Sequence, residues 1–535
     1  MNKKKIFNQL VLLFLTTSLF SQVHTNIVQQ KTYGGNQDDE FAVAIQTIDG
    51  GYLVGGSSKS GISGDKTDSS RGWSDVWLLK LNSNLTLQWQ KTIGGSEGDD
   101  LRDMIAVNNN SYLLLIQTSS PVSGEKTVDN YGLGDYWLVK IDSIGNILWQ
   151  KTYGGDNANY PANILEIDNN NYVLLGTSNS DSSGVKTENS RGGYDFWFLI
   201  VDSLGNIIYD KTIGGNSSDF CMSGYYNSQA DEIYLAGRTT SSISGDITNE
   251  PYSILEDYLL FKINATFGQI ISNFRYGGSK WNGLNALGEL NGNIYLGGSS
   301  TSDSSGVKTE NNRDTTNYWS DYWILKLNPD GSIVWDKTIG GNYRDYLMNM
   351  VFANNNQLLL IGSSSSDITG EKEEARIGQD DYWIVSIDTN SNILWQKTIG
   401  GNYVDNLKQA IVLGPNHYIL FGDSKSDVSG NKNEYCRGGL DYWIVEISTN
   451  LSIEDFSPQR LAIFPNPAKE SFKIQLPENV NSGLLYIFDT KGSIIFAKNI
   501  NEATSLINIS HLSKGNYFVT FYDAQGNGYA TQLVK

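Results

Sequence analysis

One segment returns seven times along this chain: an Asp, an aromatic or large apolar residue, then alternating apolar positions. The copies begin at Asp75, Asp135, Asp195, Asp257, Asp321, Asp381 and Asp441, and read DVWLLKL, DYWLVKI, DFWFLIV, DYLLFKI, DYWILKL, DYWIVSI and DYWIVEI. Successive copies stand 60, 60, 62, 64, 60 and 60 residues apart. A period this long and regular decides the fold class before any local reading. Each unit is one supersecondary element whose apolar face only its neighbours can bury.

The other parts of the unit keep step. Each begins with a Gly pair, from Gly34-Gly35 to Gly400-Gly401, and an Asp or Asn follows four residues later (Asp39, Asp99, Asn159, Asp219, Asn282, Asp345, Asp405). That placement reads as a turn, the short side chain bonding nearby backbone N–H groups. A metal role is disfavoured, because one carboxylate per unit falls far short of the six to eight oxygens calcium takes. A hairpin follows, with Asn, Asp and Gly at its reversal. Next come a Ser-rich stretch and a marker of the SGxK type, present as SGDKT at residues 63–67 and as SGDIT in the fourth unit. The DYW strand and a strand of the WQKT type complete the unit.

Four short strands per unit, stacked radially, describe a propeller of four-stranded blades. The ends supply the closure argument. Counting WQKT-like strands gives seven, but none follows the seventh DYW strand, and the first stands alone at residues 27–32 (IVQQKT). The amino-terminal segment is therefore expected to complete the last blade and remove the free edges. The expected organisation is all-β: a seven-bladed propeller over 22–450, a linker at 451–460 and a small β-sandwich at 461–535.

Residues 1–21 combine a basic start with a short apolar run and a small polar exit, which reads as a secretory signal peptide. No other stretch approaches the roughly 20 apolar residues of a helical membrane span. The formal net charge of −19 repels nucleic acid and anionic lipid. The only cysteines, Cys221 and Cys436, occupy different repeat positions, so the repeat does not depend on disulfides.

At residue 459 the repeat stops and short alternating strands follow. Four pieces carry a resemblance: Ile463-Phe464-Pro465-Asn466-Pro467-Ala468, the turn Asp489-Thr490-Lys491-Gly492, Leu512-Ser513-Lys514-Gly515-Asn516-Tyr517, and the terminal Leu533-Val534-Lys535. The segment is similar to the type A sorting domain of proteins exported by the type IX secretion system of Bacteroidota. The resemblance implies export to the periplasm, recognition by an outer-membrane translocon, and delivery to the cell surface or medium. Phe464, Pro465, Asn466, Pro467, Gly515, Tyr517 and Lys535 are then the sorting-motif residues.

Catalytic signals are sparse. His24, His417 and His511 are scattered, which leaves no histidine metal site and no Ser-His-Asp triad. No nucleotide loop, metal or other cofactor is expected. The repeated Asp residues of the DYW strands suit a scaffold, with the marker Lys (Lys66, Lys126, Lys186, Lys308, Lys372, Lys432) as candidate partner; Ile247 breaks that pairing in the fourth unit. Function is sought where the repeats differ. Trp73, Tyr131, Arg313, Tyr318 and Trp319 lie in the connections before the DYW strands, and Trp281, Tyr343 and Arg344 follow the Gly pairs. Aromatic faces beside Asp, Asn and Arg suit sugar rings. The expectation is a non-enzymatic binding module for a glycan or an extracellular or envelope protein. A polysaccharide-acting glycosidase or lyase and a purely structural surface protein are the alternatives.

Overall fold

The computed structural model describes residues 23–451 and 459–535, apart from 109, 168, 169, 317, 354, 355, 477–479, 481, 490–493, 503 and 524–527. The expected signal peptide, most of the expected linker, and the turn residues 490–492 lie outside them. Contacts divide the chain into a large unit, Thr25–Thr449, and a small one containing Asn450–Lys535.

Among the described residues the large unit holds seven four-stranded sheets. Blade one consists of Asp39–Gln46, Tyr52–Ser58, Asp75–Leu81 and Leu87–Ile93, paired antiparallel in chain order. Blades two to six repeat this. In blade seven the order is Val23–Tyr33, Asp441–Leu451, His417–Ser424, Asp405–Gly414. The amino-terminal strand thus occupies the fourth place of the last blade, as the period predicts. First strands of neighbouring blades approach one another and fourth strands do not, so the first strands line the axis. Asn110, Asn170, Asn291, Asn356 and Asn416 take positive φ at the first hairpins, a conformation that Asn tolerates better than most residues.

The DYW strand is buried on both faces because each blade is a layer between two others. Tyr322 and Ile324 of blade five pack with Trp383, Val385 and Ile387 of blade six. Each such Trp removes roughly 150–250 Å² from water, worth roughly 4–6 kcal/mol of transfer free energy before entropy is counted. A buried indole also has an N–H to satisfy. Trp383 donates to Gln396 at 3.1 Å and Trp323 to Asp336 at 3.0 Å, which explains the polar residue after Trp in the fourth strand. The phenols reach the next blade: the Tyr258 hydroxyl donates to the Trp323 carbonyl at 3.0 Å, and Tyr442 to that of Trp77 at 3.1 Å across the ring closure.

The small unit is a two-sheet sandwich. One sheet orders Gln459–Arg460, Gly528–Val534, Asn516–Asp523, Gly483–Phe488 and Ile494–Ile500; the other orders Ala462–Phe464, Ser471–Gln475 and Thr504–Asn508. Phe472, Ile474, Leu485, Ile487, Val519, Phe521 and Leu533 fill its core. Cys221 and Cys436 are both free thiols, the first of them buried.

Candidate functional site

Strand pairing places Asp39, Ser58 and Asp75 side by side. The Gly-pair loops and the marker-to-DYW connections therefore share one end of the ring, and so do all eight candidate binding residues. The repeated chemistry at that end is structural. Gly94 packs so closely on Asp75 that a Cβ there would sit 1.8 Å from Oδ1, and a Cβ on Gly95 would sit 2.5 Å from that of Ser120. Close approach, rather than turn conformation, demands the pair. Four residues on, Asp99 accepts the Gly95 N–H at 2.6 Å, as the turn reading expects.

The expected pairing of marker Lys with the DYW Asp is not formed. Asp75 instead accepts backbone N–H groups of Arg71 and, at 3.3 Å, of Gly72. Lys66 donates to the hydroxyls of Ser58 (2.6 Å) and Ser70 (3.1 Å) and lies over the Trp77 ring. Burial pushes Asp75 up to about 6 and Lys66 down to about 8. In blade four, where Ile247 replaces the Lys, Arg275 stands where other blades have Thr. Its Nε donates to Asp257 at 2.7 Å with both side chains fully buried. The cation has moved from the loop to the fourth strand.

A second set of contacts links neighbouring blades. Arg71 pairs with Glu125 (2.7 Å), Arg191 with Asp246 (2.9 Å), Arg313 with Glu371 (2.6 Å) and Arg437 with Asp65 (2.6 Å). Each acid is the variable residue of the next blade's marker. Where that residue is Val185 or Val307, the preceding blade supplies Tyr131 or Tyr252, whose ring lies on Gly184 or Gly306. Arg313 and Tyr131 thus serve blade junctions.

The other candidates are spread over several blades. Trp73 is 80 % exposed. Trp281 stacks on Tyr346 at 6.5 Å and donates its indole N–H to Glu256 (2.8 Å), which also pairs with Arg238 (3.5 Å). Arg376 lies 5.2 Å over the Tyr343 ring, and Arg344 pairs with Asp380 at 2.8 Å. Tyr318 and Trp319 meet edge to face at 4.7 Å and 89°, with Tyr318 73 % exposed. Buried Asp314 clasps their loop, accepting the N–H groups of Tyr318 (2.9 Å) and Trp319 (2.8 Å) and the Thr316 hydroxyl. Asn312 donates to the Trp319 carbonyl at 2.6 Å. Sequence reasoning missed Asp314, Glu256, Arg238 and Tyr346. Glu256 directly precedes a repeated Asp, a position where the units differ and which could have been inspected.

At the opposite end, an open groove of about 550 Å³ lies between blades seven and one, lined by Gln29, Tyr52, Leu413, His417 and Glu446 among others. His417 Nε2 sits 2.6 Å from Glu446 Oε1. Among the described residues no group of three or more His, Cys, Asp or Glu side chains could hold a metal, and no helix is long and apolar enough to cross a membrane.

In the sandwich, Asn466 donates to the Gln532 carbonyl (2.6 Å) and accepts the Val534 N–H (2.9 Å). Lys535 Nζ donates to the carbonyls of Ile509 (2.5 Å), Ser510 (3.0 Å) and Leu512, while its backbone pairs in both directions with Gly515. The Tyr517 hydroxyl donates to the Ser513 carbonyl at 2.7 Å. Asn466, Gly515, Tyr517 and Lys535 thus tie down the chain end, leaving Phe464, Pro465 and Pro467 exposed.

The fold defines the class of architecture: a seven-bladed β-propeller and a compact two-sheet sandwich. Residues 462–535 match the family described as Secretion system C-terminal sorting domain. The chain is a type IX secretion substrate, secreted or displayed at the cell surface, and its sorting domain addresses it to the outer-membrane translocon. None of the curated proteins matches it. Among solved structures, the Neurospora crassa Pan2 WD40 domain aligns at a TM-score of 0.41 and 9% identity, over 79% of this chain and 96% of that one. The Dos1 propeller aligns at 0.40 and 10% identity, over 80% and 96%. Quinohemoprotein alcohol dehydrogenase from Comamonas testosteroni aligns at 0.36 and 9% identity, over 83% and 79%. No ligand or activity follows from likenesses this distant.

Proposed function

We propose that the propeller is a non-enzymatic binding module, carried out of the cell by its sorting domain, that takes a glycan on the loop-bearing end of the ring. The observation that carries this reading is the clasped Tyr318–Trp319 pair. Tyr318 is 73 % exposed and Trp319 38 %, and Asp314 holds the backbone of both, so the pair offers binding area with little entropy left to lose. Its two faces at right angles suit the C–H faces of sugar rings, and polar side chains lie close by. The repeated carboxyls with raised pKa do not support a glycosidase, because they are fully buried and cannot reach a glycosidic bond. Asp103, which burial raises to about 6, is half-buried on a first strand, but its carboxylate is taken up by the N–H groups of Met104 (2.8 Å) and Ile164 (2.9 Å) and by the Asn163 side chain. Trp73, Trp281, Tyr343 and Arg344 are proposed as outlying contacts; Arg313 and Tyr131 are not.

The test compares the mature chain with a Tyr318→Ala/Trp319→Ala variant on a glycan array, with thermal stability recorded beside it. Binding should fall at least about 30-fold, corresponding to about 2 kcal/mol for a buried aromatic anchor. The melting temperature should hold. Asp314→Ala should weaken binding with both aromatics still present. Glycan binding unchanged in both variants would overturn the site. No glycan bound but an envelope protein captured through the same pair would replace the ligand class.

A further inference from the structure

The inner-strand position after each Gly pair is Asp in five blades and Asn in blades three and five. The two asparagines define the surroundings. Asn159 Oδ1 accepts the hydroxyls of Ser178 (2.6 Å) and Ser180 (3.2 Å). Its Nδ2 donates to the carbonyls of Gly134 (3.0 Å) and Asn157 (3.0 Å), and to Oδ1 of Asp135 in the preceding blade (3.1 Å). Asn282 repeats the scheme, with Ser300 and Ser302 on Oδ1, and the Lys280 carbonyl and Asp257 Oδ1 on Nδ2. One side of the position meets donors; the other meets acceptors.

Asp in the same place faces the same partners. Asp345 Oδ2 takes the donor side, accepting the Gly341 N–H (2.7 Å) and the Ser366 hydroxyl (2.9 Å). Its Oδ1 is buried without a hydrogen-bond partner, and so is Oδ1 of Asp321, the matching residue of the preceding blade. The pairs Asp441/Asp39, Asp75/Asp99 and Asp195/Asp219 show the same two unpartnered oxygens. In Asp381/Asp405 the Asp405 Oδ1 is unpartnered, while Asp381 Oδ1 meets the Gly378 N–H at 3.3 Å. All ten carboxyls are fully buried. Two ionised carboxylates there would set acceptor against acceptor in a site that asks for a donor.

We infer that each of these five junctions holds one proton, shared between the inner-strand Asp and its partner in the place where the Asn159 amide donates to Asp135. The ring is therefore proton-linked: it loosens when the protons leave. Nearby cations do not remove the need. Lys308, Arg313 and Lys372 face Asp321/Asp345, with Asp336, Glu310, Glu371, Asp381 and Glu374 beyond them. Lys308 Nζ donates to the Glu310 carbonyl and the Thr338 hydroxyl, Lys372 Nζ to the Thr398 hydroxyl, and the Arg313 guanidinium pairs with Glu310 and Glu371. Burial raises Asp321 to about 8 and Asp345 to about 6.

A folded-state pKa above the unfolded value gives stabilisation that is complete below the unfolded carboxyl pKa of about 4 and is lost as pH rises through the folded value. The window therefore opens at about pH 4 and reaches about pH 6 at Asp345 and about pH 8 at Asp321. Within it, each proton held only by the folded ring multiplies the unfolding constant about tenfold per pH unit. The 13 Trp residues lie between 73 and 443, so Trp fluorescence of the full mature chain reports the ring alone. Urea unfolding is followed from about pH 5 to about pH 6.5, below the range where the buried lysines titrate.

Asp345→Asn and Asp99→Asn, which copy blades three and five, should each lower the slope of log unfolding constant against pH by up to one. Asn159→Asp should raise it. Infrared spectra near neutral pD should show a buried protonated-carboxyl band that weakens in Asp345→Asn without needing any unfolding measurement. An unchanged slope in both Asp→Asn variants, or no such band in the wild type, overturns the inference. So does stability that falls with a chelator in the wild type and not in Asp345→Asn, since a cation would then join the carboxyls.

Discussion

Blade four offers a sharp test of how the buried charges are balanced. Elsewhere the cation is the marker Lys and the fourth strand carries Thr; here Ile247 and Arg275 exchange those roles. Arg275→Thr would leave Asp257 with only the N–H groups of Tyr252 (3.0 Å) and Asn282 (3.3 Å) and would strip the Ser241 carbonyl of its donor. Both partners are fully buried, so breaking the pair costs about 3–5 kcal/mol. Ile247→Lys alone adds a second cation beside Arg275 and removes an apolar side chain from the core between blades three and four, a comparable loss of several kcal/mol. The double variant recreates the arrangement of the other blades and should lie within about 1 kcal/mol of wild type, a coupling of about 3 kcal/mol or more. Urea unfolding by Trp fluorescence measures all four corners of the cycle. Additive losses in the double variant would refute the idea that one cation, delivered from either strand or loop, serves each blade.

Two further outcomes concern the chain ends. Deleting residues 23–32 leaves Asp441–Leu451 as an exposed edge, and the product should self-associate by size-exclusion chromatography; a well-behaved monomer of full stability would contradict the closure. Deleting 461–535 should leave a folded propeller inside the outer membrane, and surface fractionation at normal yield would show that the address lies elsewhere.

The period, the four strands and the ring closure were legible because they follow from spacing alone. The Asp–Lys pairing failed because the sequence shows that two residue types recur together but not which atoms meet: Lys66 lies over Trp77 and bonds hydroxyls. The role of Arg313 was hidden for a different reason. Its partner Glu371 belongs to the next unit, and only reading one unit's loop against the following unit's marker reveals that Arg faces an acid where Tyr131 faces Val185. Exposure of single aromatics was beyond reach as well. Trp319 and Trp323 stand four residues apart, one at the surface on a backbone held by Asp314 and one fully buried in the DYW strand.

Of the propeller's strands, the one that shuts the ring leaves the ribosome first and its partner, beginning at Asp441, leaves last. The shutter therefore waits through the emergence of six whole blades. The export address begins only a few residues after that partner ends. Any chain cut short before closure is thus also a chain without an address, and the order of segments keeps truncated rings out of the translocon.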